Sequence, residues 1–235
     1  MLELAVKKLK LLYGSINLSL KNIDAILITH EHIDHTRSLA MISKKYNIPI
    51  YTNLKTWNAI NKSQSLMCDN NHIFKNEETF HIGDLEVFPF STPHDAADPC
   101  GFNISDGKKK ISIATDLGNI TPKILTHLKN SSFLMLESNY DPEVLKFSSY
   151  PYSLKKRIAG PTGHLENSIT GQTVCKLIDT GLKDVLLIHL SKENNFPELA
   201  YKTIVEELEK NNFHESSINL SIAPRDNPSS LFLVS

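Results

Sequence analysis

Cysteine is scarce in this chain, and its placement suggests no pairing. The three that occur, Cys68, Cys100 and Cys175, are odd in number and isolated from one another. No CxxC pair is present, so neither a thiolate zinc site nor a disulfide framework is indicated, and free thiols in a reducing cytosol are expected. A surplus of one charge is lacking too: the net charge is −1 with 22% charged residues. Bulk charge therefore draws the protein to neither nucleic acid nor membrane, and a nucleic-acid role needs a local basic patch or a bound metal. No apolar run reaches the length of a transmembrane helix. The opening MLELAVKKLKLLYG is broken by lysines and followed by no small-residue cleavage site, unlike a signal peptide. Internal repeats and low-complexity linkers are missing as well. These absences lead to the expectation of a cytoplasmic protein without a membrane partner.

What is present is enough apolar material, 40% of 235 residues, to fill a sizeable core in one domain. Short β-branched runs at 23–29 (IDAILIT), 48–51, 85–91, 101–105, 111–116, 131–138 and 184–188 read as strands. Helical spacing covers 36–46, 54–61, 121–128, 151–158, 167–180 and 197–210, with Pro122 at a first helical position. Two further short strands are expected near 218–222 and 230–234. Strands alternate with helices, which predicts an α/β (α+β) fold with helices outside.

The chemistry sits where strands end. His30, His32, Asp34 and His35 follow IDAILIT directly, in the pattern HxHxDH. Imidazole nitrogen and carboxylate oxygen suit zinc, iron and manganese. At this chain's own His and Asp frequencies the pattern arises by chance in roughly one such chain per thousand. Three more ligand types close later apolar runs: His94 after LEVFPFST, Asp116 after ISIAT, and His189 after DVLLI.

HEHIDH resembles the signature of the metallo-β-lactamase superfamily, and His94, Asp116 and His189 follow in the order that family uses. The resemblance implies an αββα sandwich with two divalent metal ions (zinc, manganese or iron) at one edge. His30, His32 and His94 would hold one ion, Asp34, His35 and His189 the other, with Asp116 between them and Asp34 also orienting a hydroxide. The stretches TPHDAADPCGF, LESNYD, YPYSLKKRIAGPTGHLEN and IHLSKENNFPELA closely resemble the YycJ/WalJ-type subgroup, from about residue 20 onward. That resemblance implies a phosphodiester hydrolase, a 5′→3′ exonuclease acting on DNA at single-stranded or 5′ ends. Only 72 residues separate Asp116 from His189, too few for the large insertion of β-CASP nucleases, so residues 1–235 are expected to form one domain. The subgroup normally begins with a small, polar β-hairpin and a strand bearing an aspartate. This chain opens differently, and an N-terminally truncated sandwich is the expectation.

Other residues take roles beside that centre. His164 precedes a helix, where an imidazole can bind phosphate or protonate a leaving alkoxide; Asn167 is a candidate there too, or a helix cap. Lys155, Lys156 and Arg157 can meet backbone phosphates, and Tyr140, Tyr150 and Tyr152 can stack on unpaired bases. Ser191, Lys192 and Asn194 follow the last ligand and can shape the site. His72, His81, His127 and His214 stand alone and read as surface or packed histidines. The alternatives are a small-molecule metallohydrolase of thioesterase or lactonase type, and a truncated, inactive copy with a binding or regulatory role.

Overall fold

Alternating apolar residues along the strands, and apolar stripes along the helices, build four layers. The structure, a computed structural model, describes residues 14, 19–64 and 70–234. Apart from Gly14, the opening segment on which the truncation expectation rests lies outside the described residues, as does Cys68. Strands β1 (Ile26–Leu27), β2 (Ile50–Asn53) and β3 (Asn71–Phe74) form a small parallel sheet in that order. Strands β4 (Phe80–Ile82), β5 (Leu85–Ser91), β6 (Cys100–Ser105), β7 (Lys110–Ala114), β8 (Phe133–Glu137), β9 (Asp184–Ile188) and β10 (Asn219–Ile222) form a seven-stranded sheet. Its order is the reverse of the chain, from β10 to β4. Pairing is parallel from β7 to β10 and antiparallel from β4 to β7.

The helices are α1 (Ile33–Thr36), α2 (Leu39–Tyr46), α3 (Leu54–Gln64), α4 (Pro122–Leu128), α5 (Pro142–Phe147), α6 (Tyr152–Ile158), α7 (Asn167–Ile178) and α8 (Pro197–Lys210). Leu39, Trp57 and Ile60 from α2 and α3 pack on Ile28 and Ile50 of the small-sheet layer. Phe74, Val87, Cys100 and Phe102 join the two sheets. On the far face, Leu134, Leu136, Val185 and Leu187 meet Ile124 of α4, Val174 and Leu177 of α7, and Ile204 and Leu208 of α8. The order helix, sheet, sheet, helix is the αββα sandwich expected. Each sheet has one face toward its helices and one toward the other sheet, so both bury apolar area.

Several expectations change. The run at 23–29 pairs as a strand only over β1; its end is held instead by single bonds, Ile28 N to Tyr51 O at 3.0 Å and Cys100 N to Thr29 O at 3.1 Å. The helix expected at 36–46 is two helices, α1 and α2. Strands β3 and β4 and helix α5 were not read from the sequence. The strand expected at 230–234 is irregular; Phe232 lays its ring on Phe133, centroids 5.0 Å apart, and the segment finds no ladder partner among the described residues. Apolar composition there serves packing rather than pairing.

Candidate metal centre

The site lies where β1, β5, β7, β8 and β9 run out. The chain leaves β1 through Thr29 and enters α1 with His32 as its N-cap. Thr36 Oγ donates to the Glu31 and His32 carbonyls at 3.2 and 3.0 Å. Glu31 Oε1 accepts from Ala97 N at 2.8 Å, fastening the HEHIDH loop to the loop that carries His94. After β7 and β9 the backbone turns sharply: Asp116 and His189 take φ of +56° and +57°. Left-handed backbone is uncommon outside glycine and collects at functional sites. In both places it turns the ligand candidate at the strand end.

The seven residues nominated as ligands come together. Ring centroids of His30 lie 4.5, 4.2 and 5.0 Å from those of His32, His35 and His94. His94 Nε2 is 3.3 Å from His32 Nδ1 and 3.7 Å from Asp116 Oδ1. His35 Nε2 is 3.3 Å from Asp116 Oδ2 and 3.5 Å from Asp34 Oδ2. His189 Nε2 faces Asp34 Oδ2 at 3.8 Å, and its Nδ1 is 3.6 Å from Asp116 Oδ1. Potential ligand atoms fall into the groups His30, His32, His94 and Asp34, His35, His189. Asp116 is buried between them, one oxygen toward His35 and the other toward His94 and His189.

Hydrogen-bond chemistry tests whether these groups suit a cation. A backbone carbonyl only accepts, so His94 Nδ1, 3.0 Å from Gly163 O, carries the proton. Its Nε2 then offers a lone pair toward His32 and Asp116. Thr29 Oγ lies 3.1 Å from His30 Nδ1 and 3.4 Å from His35 Nδ1 and can accept from both. Burial, helped by the neighbouring His35 imidazole, pulls the pKa of His30 down to about 3, so the ring is neutral. Among the described residues His30 Nε2 is buried with no hydrogen-bond partner. Buried polar atoms are rarely left so, and a lone pair aimed among other lone pairs calls for a cation. The donor set fits divalent metal ions of the kind that nitrogen and carboxylate ligands hold.

Glu137, at the end of β8, is a residue the sequence reading passed over. It is fully buried. Its Oε1 accepts from His189 Nδ1 at 2.7 Å and His164 Nδ1 at 2.9 Å. Its Oε2 accepts from the backbone N–H of Leu117 and Leu165 at 3.1 and 3.2 Å. Burial raises a carboxylate pKa, but here the two histidines hold Glu137 below its ordinary value. His189 in turn is pushed up to about 11: burial opposes this, and the bonds to Asp34 and Glu137 overcome it. A cation held at Nε2 would displace that proton. His189 holds Asp34 well below the usual carboxylate range despite partial burial. The signal for Glu137 was in the sequence: a lone acid ending the apolar run FLML.

The other nominated residues separate. His164 lines a cavity of about 730 Å³ together with His32, Asp34, His94, Asp116 and His189. Although burial lowers it, the Glu137 carboxylate raises its pKa overall. Arg157 lines the same cavity and pairs with Asp95 at 2.5 Å. Lys155 is turned away, donating to the carbonyls of Lys146 and Ser148 at 2.7 Å each. Lys156 is exposed and does not line the cavity. Successive helical residues point about 100° apart, so three consecutive cations cannot share one wall. Tyr140 is 5% exposed, with burial pushing its pKa up to about 12, and a base cannot stack on a ring inside the fold. Asn167 is fully buried and bonded to Ser138 Oγ at 2.7 Å and Asn195 Oδ1 at 3.0 Å, which keeps it from substrate. Tyr150 lines the cavity, and Tyr152 is 81% exposed.

Known proteins share this fold. Solved structures of the metallo-beta-lactamase fold protein YhfI from Bacillus subtilis and of Zn(2+)-bound PqqB from Methylobacterium extorquens superpose with TM-scores of 0.63 and 0.64. They are 18% and 14% identical, each covers 90% of this chain, and 78% and 73% of their own chains are matched. That likeness defines a metallo-β-lactamase fold. Residues 8–190 match the beta-lactamase superfamily domain, and the chain belongs to that superfamily. Exodeoxyribonuclease YycJ of Bacillus anthracis is 33% identical over 211 residues, which span 89% of this chain and 80% of that protein. Exodeoxyribonuclease WalJ of Streptococcus pneumoniae serotype 2 is 35% identical over 208 residues, 87% of this chain and 77% of that one. Among the described residues no helix is long and apolar enough to cross a membrane.

Proposed function

We propose that this protein is a metal-dependent exodeoxyribonuclease, hydrolysing phosphodiester bonds of DNA from single-stranded 5′ ends, in the cytoplasm. The observation that carries the reading is the convergence of imidazole nitrogens and two carboxylates in one cluster, with His30 Nε2 unpartnered among the described residues. The names of the two relatives, both exodeoxyribonucleases, support DNA as the substrate. One domain without a β-CASP insertion is part of the proposal.

His30, His32 and His94 would hold one ion, Asp34, His35 and His189 the second, with Asp116 shared. Zinc, manganese or iron bound there lowers the pKa of water and neutralises charge on a phosphate. The protein's own groups do the rest. Asp34, ionised and with a side chain 60% exposed, accepts a hydrogen bond from the attacking water and orients it. Glu137 accepts the hydrogen bond of His164 Nδ1–H, so the nitrogen left for the cavity is Nε2. Its raised pKa keeps that ring able to give a proton to the departing alkoxide. Arg157 sits at the rim, where a phosphate can share it with Asp95.

The test is nucleotide release from 5′-phosphorylated, end-labelled single-stranded DNA with manganese, beside the His30→Ala/Asp34→Ala double variant. Release by the parent and loss of at least 10²-fold in the variant is expected. Release of thioester or lactone products with DNA untouched would sink the nuclease reading.

A further inference from the structure

The catalytic cavity does not end at His189. A second groove of about 540 Å³ continues from it, and His189, Leu190, Ser191, Lys192 and Arg225 line both. Beyond that shared wall the groove turns apolar, with Phe196, Pro197, Ile222 and Pro224. Besides His189 its lining holds two cations, Lys192 and Arg225, and no carboxylate is among the described residues that form it. In a protein of net charge −1 this places positive charge against apolar surface beside the reacting centre.

Phe196 is the unexplained member. It precedes α8 as the N-cap, gives no side-chain cap and is 50% exposed. The backbone beneath it is fixed. Asn195 Nδ2 donates to the carbonyls of Ser138 and Asn139 at 2.9 and 3.1 Å, and Phe196 N donates to Asn195 Oδ1 at 3.0 Å. Asp141 N donates to Asn194 O at 3.0 Å, and Asn194 N to Ser191 Oγ at 3.2 Å. An aromatic ring held toward solvent on a tethered backbone is pre-organised for a flat partner. Arg225 donates to the Leu190 carbonyl beside His189.

We propose that this groove is the track for the DNA strand that adjoins the cleaved nucleotide, with a base stacked on Phe196 and backbone phosphates on Lys192 and Arg225. The proposal rests on the nuclease reading above. Aromatic stacking with cations along the backbone is how proteins hold single strands without regard to sequence. Continuity with the catalytic cavity selects a strand already engaged at its end.

The test compares the metal-loaded full chain with Phe196→Ala, Phe196→Trp and Lys192→Ala/Arg225→Ala. Two substrates are used: oligothymidylate, long enough to fill the groove, and bis(p-nitrophenyl) phosphate, which ends at the reacting centre. The ratio of kcat/KM on the oligonucleotide to that on the small diester is expected to fall about tenfold in Phe196→Ala and to be kept in Phe196→Trp. Binding of an uncleavable phosphorothioate oligothymidylate, followed by anisotropy, should show a log–log salt slope shallower by about 1.4 in the double variant, for two phosphates. A parent that cuts and binds the oligonucleotide, with variants that match it in both, would overturn the groove and leave the nuclease. A parent that binds and weakens in the variants, yet cuts no DNA, would keep the groove and overturn the nuclease. A parent that does neither overturns both.

Discussion

Glu137 shows how one buried side chain sets two others. Its Oε1 meets two imidazole N–H donors and its Oε2 meets two backbone N–H donors. An amide carries one acceptor and one donor end, so in Glu137→Gln the NH2 must face donors in either orientation. Metal affinity is expected to fall 10–100-fold, and stability by about 1–3 kcal/mol from the stranded donors. Metal titration and urea unfolding measure the two; an affinity equal to the parent's would show that Glu137 does not orient His189. The ligand candidates were legible at this scale because strand-end histidines have few reasons to cluster. Glu137 left only the weak signal of an acid ending FLML, because a glutamate closing a strand also looks like an ordinary polar boundary. Tyr140 and Asn167 lie in stretches as distinctive as those of the ligands, yet the fold buries both.

Elements decide how far apart those side chains fall. The loop from α6 to α7 passes under the site, and a Cβ at Gly163 would strike the Arg157 and Ile158 carbonyls. The carbonyl of Gly163 also orients His94. Gly163→Ala must therefore move the loop, and a displacement near 1 Å at a reacting group costs about 10²-fold. We expect kcat/KM to fall by that order while circular dichroism keeps its helix and strand content; unchanged kcat/KM would count against the loop's role. Helix α5 was missed although its signals were present: Asp141 caps it, accepting from Glu143 N and Val144 N, and Pro142 follows. Strands β3 and β4 were missed for a different reason. Each has four residues or fewer, and neither shows a clean buried alternation, because tertiary contact rather than local pattern makes them strands.

For the whole molecule, metal and folding are linked. The histidines and carboxylates approach one another only in the folded chain, so ions bind that state preferentially and stabilise it, by about 2.7 kcal/mol at a concentration 100 times Kd. Chelation should lower the thermal midpoint and reloading should restore it in proportion to the logarithm of metal concentration. The His30→Ala/Asp34→Ala variant should respond far less. A midpoint indifferent to metal in the parent, read by calorimetry, would refute the linkage.

By itself the sequence determined the alternation of strands and helices and the candidate ligand types. Apolar period is set by local geometry, two residues in strands and 3.6 in helices, and a histidine or aspartate at the end of such a run keeps its chemistry wherever the strand is placed. Only the tertiary structure decided which partners those groups meet. It placed Glu137 between His164 and His189, turned Lys155 away from Arg157, sank Tyr140, and joined Phe196 and Arg225 in one groove. Those pairs lie 27 to 52 positions apart, or arise from facing directions around a helix. Distances of that kind come from packing, which no local pattern of residues encodes.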